Sequence, residues 1–356
     1  MERTELKTPS PCNDQSKYCH PNESELVKSC PSTDCDWKFD LLRAPRPRAR
    51  TRLNESGLFE QDTESVAKDQ HPKQGVVDMI YEDWAAAGSY SDEIFSYLYS
   101  LEDQFLLPKD FLAQQTEVTY ESRAVLVDWL IQVHEFYNFP LDCLYLMISL
   151  LDRYMSLQYV PLTNFQLLGM ACLLVACKYE DRFVPRHDDL VSMADKAFSG
   201  KELSQMEKLL LESLNYDLSL PLPSHFLRRF ARAAVTDAET YTLAKFLLEI
   251  SKLDLMLVTY KPSLVAASAF CLARGLVLEN TKLSDSVPSS FYSLDQLKPC
   301  LVGFAKVLKI VESLGCKGVI KKYCRLGINS SVIEYLSQTP LVNELLSCSE
   351  SCENLN

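Results

Sequence analysis

The pattern closest to a catalytic signature begins at His134-Glu135. In zinc proteases, the pattern H-E-x-x-H places two histidines on one face of a helix, where they bind the metal beside a catalytic glutamate. Here Asn138 stands in place of the second histidine, so the metal would lose a ligand. The chain also lacks the G-x-G-x-x-G and G-x-x-x-x-G-K-[ST] loops that hold nucleotide phosphates. The sequence therefore lacks the signatures that would support a catalytic function.

Cysteines are the other residues with metal or redox chemistry, and the chain has 13 of them. Five residues near its beginning loosely resemble a metal cluster: Cys12, Cys19, His20, Cys30 and Cys35. Their spacing fits no standard zinc module, and we interpret the cysteines as free thiols. Other cysteines lie within apolar helical patterns, where a thiol packs as a small hydrophobe: Cys143, Cys172, Cys177 and Cys271. We predict a reducing compartment, no disulfide framework, and no metal or other cofactor.

Four charged side chains lie in or at the end of helical segments. Arg123 begins an otherwise apolar helix, and Asp152 follows Leu150 and Leu151. Charges are rarely buried unpaired, so we predict a structural ion pair between these two residues. Lys178 suits the negative end of a helix, and Glu207 suits a solvated face. By residue type alone, Lys178 and Glu207 are ordinary surface charges.

The composition narrows the class of protein. The formal net charge is −12, which argues against binding to nucleic acid or anionic membranes, because counterion release needs clustered positive charge. The longest apolar run, 167–177, has 11 residues, whereas a membrane span needs about 20. We therefore expect no nucleic-acid partner and no membrane, and we interpret the run as a buried core helix.

Helical periodicity begins near Tyr90 and continues almost unbroken to about Tyr323. Residues 1–88 lack apolar periodicity, so we predict a disordered tail. The end of the chain, 326–356, is predicted to be a short, polar, frayed extension. The expected helices cover 91–105, 121–136, 141–156, 164–179, 186–194, 199–214, 224–234, 237–253, 262–278, 293–313 and a weaker segment from about 317.

A split near Leu220 divides these helices into two groups, which suggests a duplicated all-α unit. In each group the third helix, 164–179 or 262–278, is apolar nearly all round and rich in Gly and Ala. A helix that is apolar on every face is buried. Each unit is therefore predicted to be five helices, one central helix wrapped by four others. Asn164 is the expected N-cap of the first central helix, and Ser199 with Glu202 forms an expected capping box.

The segment 121–130, ESRAVLVDWL, resembles the signature helix of the cyclin family, whose usual form is MRAIL followed by VDWL. Later motifs follow in the family's order: Leu151-Asp152-Arg153-Tyr154, Phe165-Gln166-Leu167-Leu168-Gly169, Ala176-Cys177-Lys178-Tyr179-Glu180 and Met206-Glu207. The resemblance spans about 90–323 and implies two tandem five-helix cyclin boxes. We expect a disordered regulatory tail at 1–88, an N-terminal box at 89–220, a C-terminal box at 221–325 and an extension at 326–356.

The subtype resembles mitotic A- and B-type cyclins, with some O-type features. The opening of the second box, 221–229, is similar to B-type cyclins, and 242–247 and 297–301 are similar to A-type cyclins. Phe111-Leu112-Ala113 with Glu121-Ser122-Arg123 is also similar to O-type cyclins. An O-type or divergent cyclin with a non-mitotic role is therefore an open alternative.

The resemblance implies a regulatory subunit rather than an enzyme. Such a protein binds and activates a cyclin-dependent Ser/Thr kinase and helps to recruit substrates, here in G2/M control. Lys178 and Glu207 match the pair that grips the kinase's movable catalytic-lobe helix and its neighbouring backbone. The rest of the implied kinase-binding surface is Tyr179, Glu180, Leu211, Tyr216 and Leu218. Arg123 and Asp152 match an internal ion pair of the family, in agreement with the argument from burial.

The resemblance also implies a shallow apolar groove that captures Arg-x-Leu peptides of substrates and inhibitors. Its residues are Ser122, Val125, Leu126, Trp129, Gln132 and Gln166. Ser122 replaces the family's usual methionine, which removes apolar area and is expected to weaken docking.

The tail carries the expected regulatory features. Arg50-Thr51-Arg52-Leu53 resembles a degenerate destruction box whose downstream positions do not fit the family pattern. Through such a box, the resemblance would add ubiquitin-ligase machinery to the partners. Five arginines in 43–52 are either a solvated charge run or a nuclear-import signal. We expect the protein in the nucleus and cytoplasm.

Two further function classes fit the sequence less well. A general transcription factor with tandem cyclin boxes would want a basic DNA-facing surface and usually a zinc ribbon, and this acidic chain has neither. A cyclin-box scaffold that binds no kinase is disfavoured because Lys178 and Glu207 are both present.

Overall fold

The computed structural model describes residues 90–278, 283, 292–311 and 317–353. Within these ranges the chain forms α-helices and short 3-10 turns and no β-strand, so the predicted all-α class is confirmed. The helices are α1 (Ser91–Leu101), α2 (Tyr120–Tyr137), α3 (Leu141–Leu157), α4 (Leu162–Glu180), α5 (His187–Met193), α6 (Gly200–Ser213), α7 (Pro223–Ala233), α8 (Ala238–Ile250), α9 (Pro262–Val277), α10 (Leu294–Ile310), α11 (Lys317–Cys324), α12 (Ser330–Gln338) and α13 (Pro340–Glu353). The predicted tail, 1–88, lies outside the described residues.

The first unit is built around α4. Its residues from Phe165 to Cys177 are all buried, and it packs against α2, α3 and α6, while the short α5 packs on α6. A Cβ at Gly169 would lie 3.1 Å from Leu130 and 3.2 Å from Leu126, so a small residue here lets α2 approach closely. The helix is long and apolar enough to cross a membrane, but its neighbours cover it, and we interpret it as the core helix.

The second unit repeats this plan around α9. The small residues Ala266, Ala267 and Ala269 are fully buried, and α9 packs against α7, α8 and α10. Helix α11 belongs to this unit in sequence but contacts both α8 and α2. The predicted arrangement of two tandem helical units with central helices is therefore confirmed.

The N-termini of the helices are set by the local sequence, through capping hydrogen bonds or a proline. Ser199 and Glu202 form the predicted capping box, with Glu202 accepting from the Ser199 N–H at 2.7 Å. Asn164 is not the N-cap of α4, because the helix already begins at Leu162, directly after Pro161. Proline has a fixed φ and an extended ψ here, so it leads the chain into the helix without a side-chain cap.

The end of the chain differs from the expected frayed extension. Asn329 caps α12, and Pro340 begins α13. Four apolar side chains from these helices are buried, and both helices pack on α10: Ile333, Leu336, Val342 and Leu345. The segment is helical because these few apolar residues cover α10, although its other residues are polar.

Candidate functional site

Arg123 and Asp152 form a fully buried ion pair between α2 and α3. The guanidinium donates through Nε and Nη2 to the two carboxylate oxygens of Asp152, each at 2.7 Å. The two residues are 0% and 1% exposed. A bidentate pair of this kind is strong because both hydrogen bonds are charge-assisted. It fixes the helix that carries the groove residues against the next helix of the unit.

The second unit supplies a third member of this cluster, which sequence reasoning missed. Nη1 of Arg123 donates to the main-chain oxygen of Lys252 at 2.9 Å. Burial lowers the pKa of the Lys252 ammonium group to about 8, and the nearby Asp152 opposes that shift. Lys252 lies in a short 3-10 turn after α8, in a polar-looking Ser-Lys-Leu sequence that carries no signal of burial.

Lys178 and Glu207 form an ion pair on the surface, joining the end of α4 to the middle of α6. The lysine is largely exposed and the glutamate is mostly covered. Two tyrosines in the same elements face solvent: Tyr179, next to Lys178 in α4, is 52% exposed, and Tyr216, in the turn after α6, is 63% exposed. We call the surface of Lys178, Tyr179, Glu207, Leu211, Tyr216 and Leu218 the α4–α6 face.

The α4–α6 face is held by the backbone as well as by the ion pair. The N–H of Tyr216 donates to the main-chain oxygen of Leu211 at 2.9 Å, which ties the turn after α6 to the helix. Tyr216 has a φ of 58°, in the left-handed region that non-glycine residues seldom adopt. Phe183 and Val184, exposed in the loop after α4, extend the apolar surface, although their sequence position alone did not mark them.

Glu180 has a different environment from the rest of the predicted kinase-binding set. Burial raises the pKa of its carboxyl group, and the negative charge of Asp142 adds to the shift, whereas Arg228 opposes it. Asp142 and Arg228 are bonded to each other between α3 and α7. The charges that act on the Glu180 carboxyl group therefore belong to both units.

The predicted groove residues lie along α2 and α4. Val125 is exposed, Trp129 and Gln132 are partly buried, and Leu126 forms a buried floor. Gln166, on α4, is 9% exposed, and its amide Nε2 is buried without a hydrogen-bond partner among the described residues. A buried amide without a partner is costly, so an acceptor from a bound ligand would stabilise it.

Ser122 has a structural role that the sequence comparison with cyclins did not reveal. Its Oγ accepts from the N–H of Thr119 at 2.8 Å, and the Thr119 hydroxyl accepts from the N–H of Ser122. The two residues form a capping box at the start of α2. Serine at this position therefore completes the capping box of the groove helix, whose N-cap is Thr119, at the expense of the apolar area that methionine would add.

No group of three or more His, Cys, Asp or Glu side chains is placed to hold a metal ion in the part of the chain that the structure describes. The tail cysteines lie outside that part. Cys143, Cys172 and Cys177 are buried in helices of the first unit.

Two family models match the chain in tandem. The model of the cyclin N-terminal domain matches residues 93–219, and that of the cyclin C-terminal domain matches 221–334. The chain belongs to the cyclin family. The predicted membership is confirmed, and both surfaces described above lie within the matched ranges.

Relatives of this cyclin are B-type. It is 38% identical over 257 residues to the G2/mitotic-specific cyclin-B2 of Oryzias latipes, covering 71% of this chain and 65% of the relative. The identity to the cyclin-B2 of Anguilla japonica is 40% over 227 residues, covering 63% of this chain and 57% of the relative. The chain therefore spans less than two thirds of the length of these relatives.

A solved structure shares the fold. A chain in the crystal structure of the yeast RNA Pol II CTD kinase CTDK-1 complex has a TM-score of 0.51 and 12% identity, covering 59% of this cyclin and 74% of that chain. At this identity the likeness concerns the fold alone.

Proposed function

We propose that this cyclin is a regulatory subunit that binds and activates a cyclin-dependent Ser/Thr kinase in G2/M control, and is not itself an enzyme. The observation that carries the proposal is the α4–α6 face. An ion pair there lies among exposed tyrosines, with Tyr216 at 63% exposure. Aromatic residues beside a charge pair are typical anchors of a protein interface. The relatives named as mitotic B-type cyclins support the assignment to G2/M.

Activation follows from the rigidity of the face. The α4 helix that carries Lys178 is buried from Phe165 to Cys177, so its end cannot shift without disturbing the core. A rigid surface that fits only the active placement of the kinase's movable helix binds that state more tightly. Differential binding then shifts the kinase population towards the active state, in which its catalytic Lys–Glu pair is formed. The cyclin contributes no reacting group to phosphate transfer.

The test is reconstitution. The 356-residue cyclin chain should co-purify with a cyclin-dependent kinase, and the complex should transfer phosphate to histone, whereas the kinase alone and the cyclin alone should not. A cyclin that forms no complex with any kinase of this class would favour the scaffold alternative and contradict the proposal.

The groove is the proposed docking site for Arg-x-Leu segments of substrates or inhibitors. Leu126 and Trp129 offer an apolar anchor site, and the buried Nε2 of Gln166 offers an unused donor for a peptide carbonyl. One apolar anchor and one backbone hydrogen bond suit a short extended peptide.

Changes at Ser122 and Trp129 test the docking proposal. Ser122→Met should tighten peptide binding about five- to thirty-fold, because burying most of a methionine at about 25 cal/mol per Å² contributes roughly 1–2 kcal/mol. The same change removes the bond from the Thr119 N–H to the Ser122 hydroxyl, but Thr119 stays as the N-cap of α2, so the loss in stability should be below the about 1 kcal/mol of a lost N-cap. Trp129→Ala should remove peptide binding.

Fluorescence polarisation with a labelled Arg-x-Leu peptide measures the peptide affinity of each variant. Thermal melts measure the stability that Ser122→Met loses at the capping box. If the wild-type protein already binds the peptide as tightly as the methionine variant, Ser122 is not part of the groove.

The tail is proposed to control localisation and lifetime rather than kinase activation. Deletion of residues 1–88 should leave kinase activation intact, because that segment lacks the apolar surface needed to join the core. The deletion should instead change the distribution between nucleus and cytoplasm or the half-life, through the arginine run and the degenerate destruction box. Imaging and a chase of protein levels measure these effects. Loss of kinase binding in the truncated protein would contradict this prediction.

A further inference from the structure

Gln132 is the last of the predicted groove residues along α2, and a helix of the second cyclin domain lies directly beside it. This helix is α11, which packs against α2. The carboxylate of Asp128, one turn before Gln132, accepts from the N–H of Gly318 at 2.8 Å and 3.0 Å, and from the N–H of Val319 at 3.4 Å. Asp128 therefore caps the first turn of α11.

Gly318 lets the two helices approach closely. A Cβ there would lie 2.7 Å from Cγ of Gln132 and 2.8 Å from both the main-chain oxygen and Oδ1 of Asp128. These distances are shorter than van der Waals contacts, so any larger residue would push α11 away from α2. The backbone of α11 thus lies against the Gln132 side chain at the end of the groove.

Asp128 also holds Gln132 itself. Nε2 of Gln132 donates to Oδ2 of Asp128 at 3.1 Å, and Asp128 is only 6% exposed. One buried carboxylate therefore bonds both the side chain of Gln132 and the first turn of α11. Directly after the end of α11, Arg325 donates to Glu135 of α2 at 3.1 Å, an exposed pair on the same side of the two helices.

We propose that the docking groove is a site shared by both cyclin domains, in which α11 forms the end wall and Asp128 is the positioning residue for Gln132 and that wall. The proposal rests on the docking function proposed above and assigns it a further requirement. Peptide affinity then depends on the packing of the second domain, although the groove residues belong to the first. Asp128 does not touch the peptide; it acts through Gln132 and α11.

A general loss of stability at the contact between the two domains must be separated from this role. Asp142 offers the matched control, since it is also a carboxylate that bonds across the two domains. It accepts from Ser224 Oγ at 2.5 Å and from Arg228 at 3.1 Å, on the α3–α7 side of the molecule. Its partners include none of the groove residues.

The experiment compares Asp128→Asn with Asp142→Asn in the full-length protein. An asparagine at 128 keeps the size of the side chain but removes the negative charge that accepts from the Gly318 N–H and from Nε2 of Gln132. The expected result is a roughly tenfold weaker Kd for a labelled Arg-x-Leu peptide, the loss expected from one hydrogen bond to a charged group. Asp142→Asn should lower the melting temperature similarly and leave the peptide Kd unchanged.

The kinase complex supplies a kinetic measurement that would not change if Asp128 had only a structural role. With Asp128→Asn, KM for a substrate carrying the Arg-x-Leu motif should rise while kcat stays the same. Gly318→Ala, which pushes the wall away without changing charge, should also weaken the peptide Kd. This second variant keeps the test decisive if Asp128→Asn does not fold.

Three results are distinguishable. An unchanged peptide Kd in Asp128→Asn and Gly318→Ala, or an equal loss in Asp142→Asn, would overturn the shared-site inference while leaving the docking function standing. A wild-type protein that binds no peptide would overturn the docking function and the inference with it.

Discussion

Arg123→Ala should lower the free energy of unfolding by about 3–5 kcal/mol, because it leaves the Asp152 carboxylate buried without its guanidinium partner. Arg123 makes three hydrogen bonds, two to Asp152 at 2.7 Å and one to the main chain of Lys252 at 2.9 Å. No solvent reaches the pair to replace them, since the residues are 0% and 1% exposed. The main-chain oxygen of Lys252 loses its donor as well.

Thermal melts followed by circular dichroism measure the effect. At roughly 2–4 °C per kcal/mol for a protein of this size, the midpoint should fall by about 10 °C. Arg186→Ala is the control, because Arg186 forms a solvent-exposed pair with Asp189 and such pairs contribute little. A melting curve of Arg123→Ala that matches the control would show that the buried pair does not stabilise the fold.

The helices of this cyclin could be predicted because their signals are local. The apolar stretch from Leu167 to Cys177 and the capping box at Ser199 each depend on residues close in sequence. Helices α12 and α13 were missed for the same reason. Their apolar residues, such as Ile333 and Val342, are sparse, and only the distant helix α10 gives them a surface to cover.

The residues of the candidate site likewise fall into those that the sequence could identify and those that only the structure shows. Residues that match family motifs, such as Lys178 and Glu207, could be named from the sequence, and the structure brings them into contact. Asp128 stands inside the signature helix, yet its partners Gly318 and Val319 are about 190 residues away. A single sequence carries no signal for such a pairing. The same holds for the carbonyl of Lys252 that Arg123 binds.

Exchanging the charges of the α4–α6 face, Lys178→Glu together with Glu207→Lys, should abolish kinase activation at normal concentrations. The exchange keeps an ion pair between α4 and α6 and keeps the net charge, so the protein should fold as the wild type does. What changes is the sign of each charge facing the kinase. A disrupted charge contact in a buried interface costs about 2–5 kcal/mol, equivalent to roughly 30- to 5,000-fold in affinity.

The neighbouring pair on α6 makes a matched control. Lys208 and Glu212 form an exposed ion pair at 3.6 Å, one residue along the same helix. Lys208→Glu with Glu212→Lys should therefore leave activation intact. A titration of cyclin against a fixed amount of kinase, with phosphate transfer to histone as the readout, separates weak binding from failed activation. If the kinase-binding role is correct, the Lys178/Glu207 exchange should raise the cyclin concentration needed for half-maximal activity by at least the lower bound. A half-maximal concentration equal to that of the Lys208/Glu212 control would show that the kinase does not bind at this face.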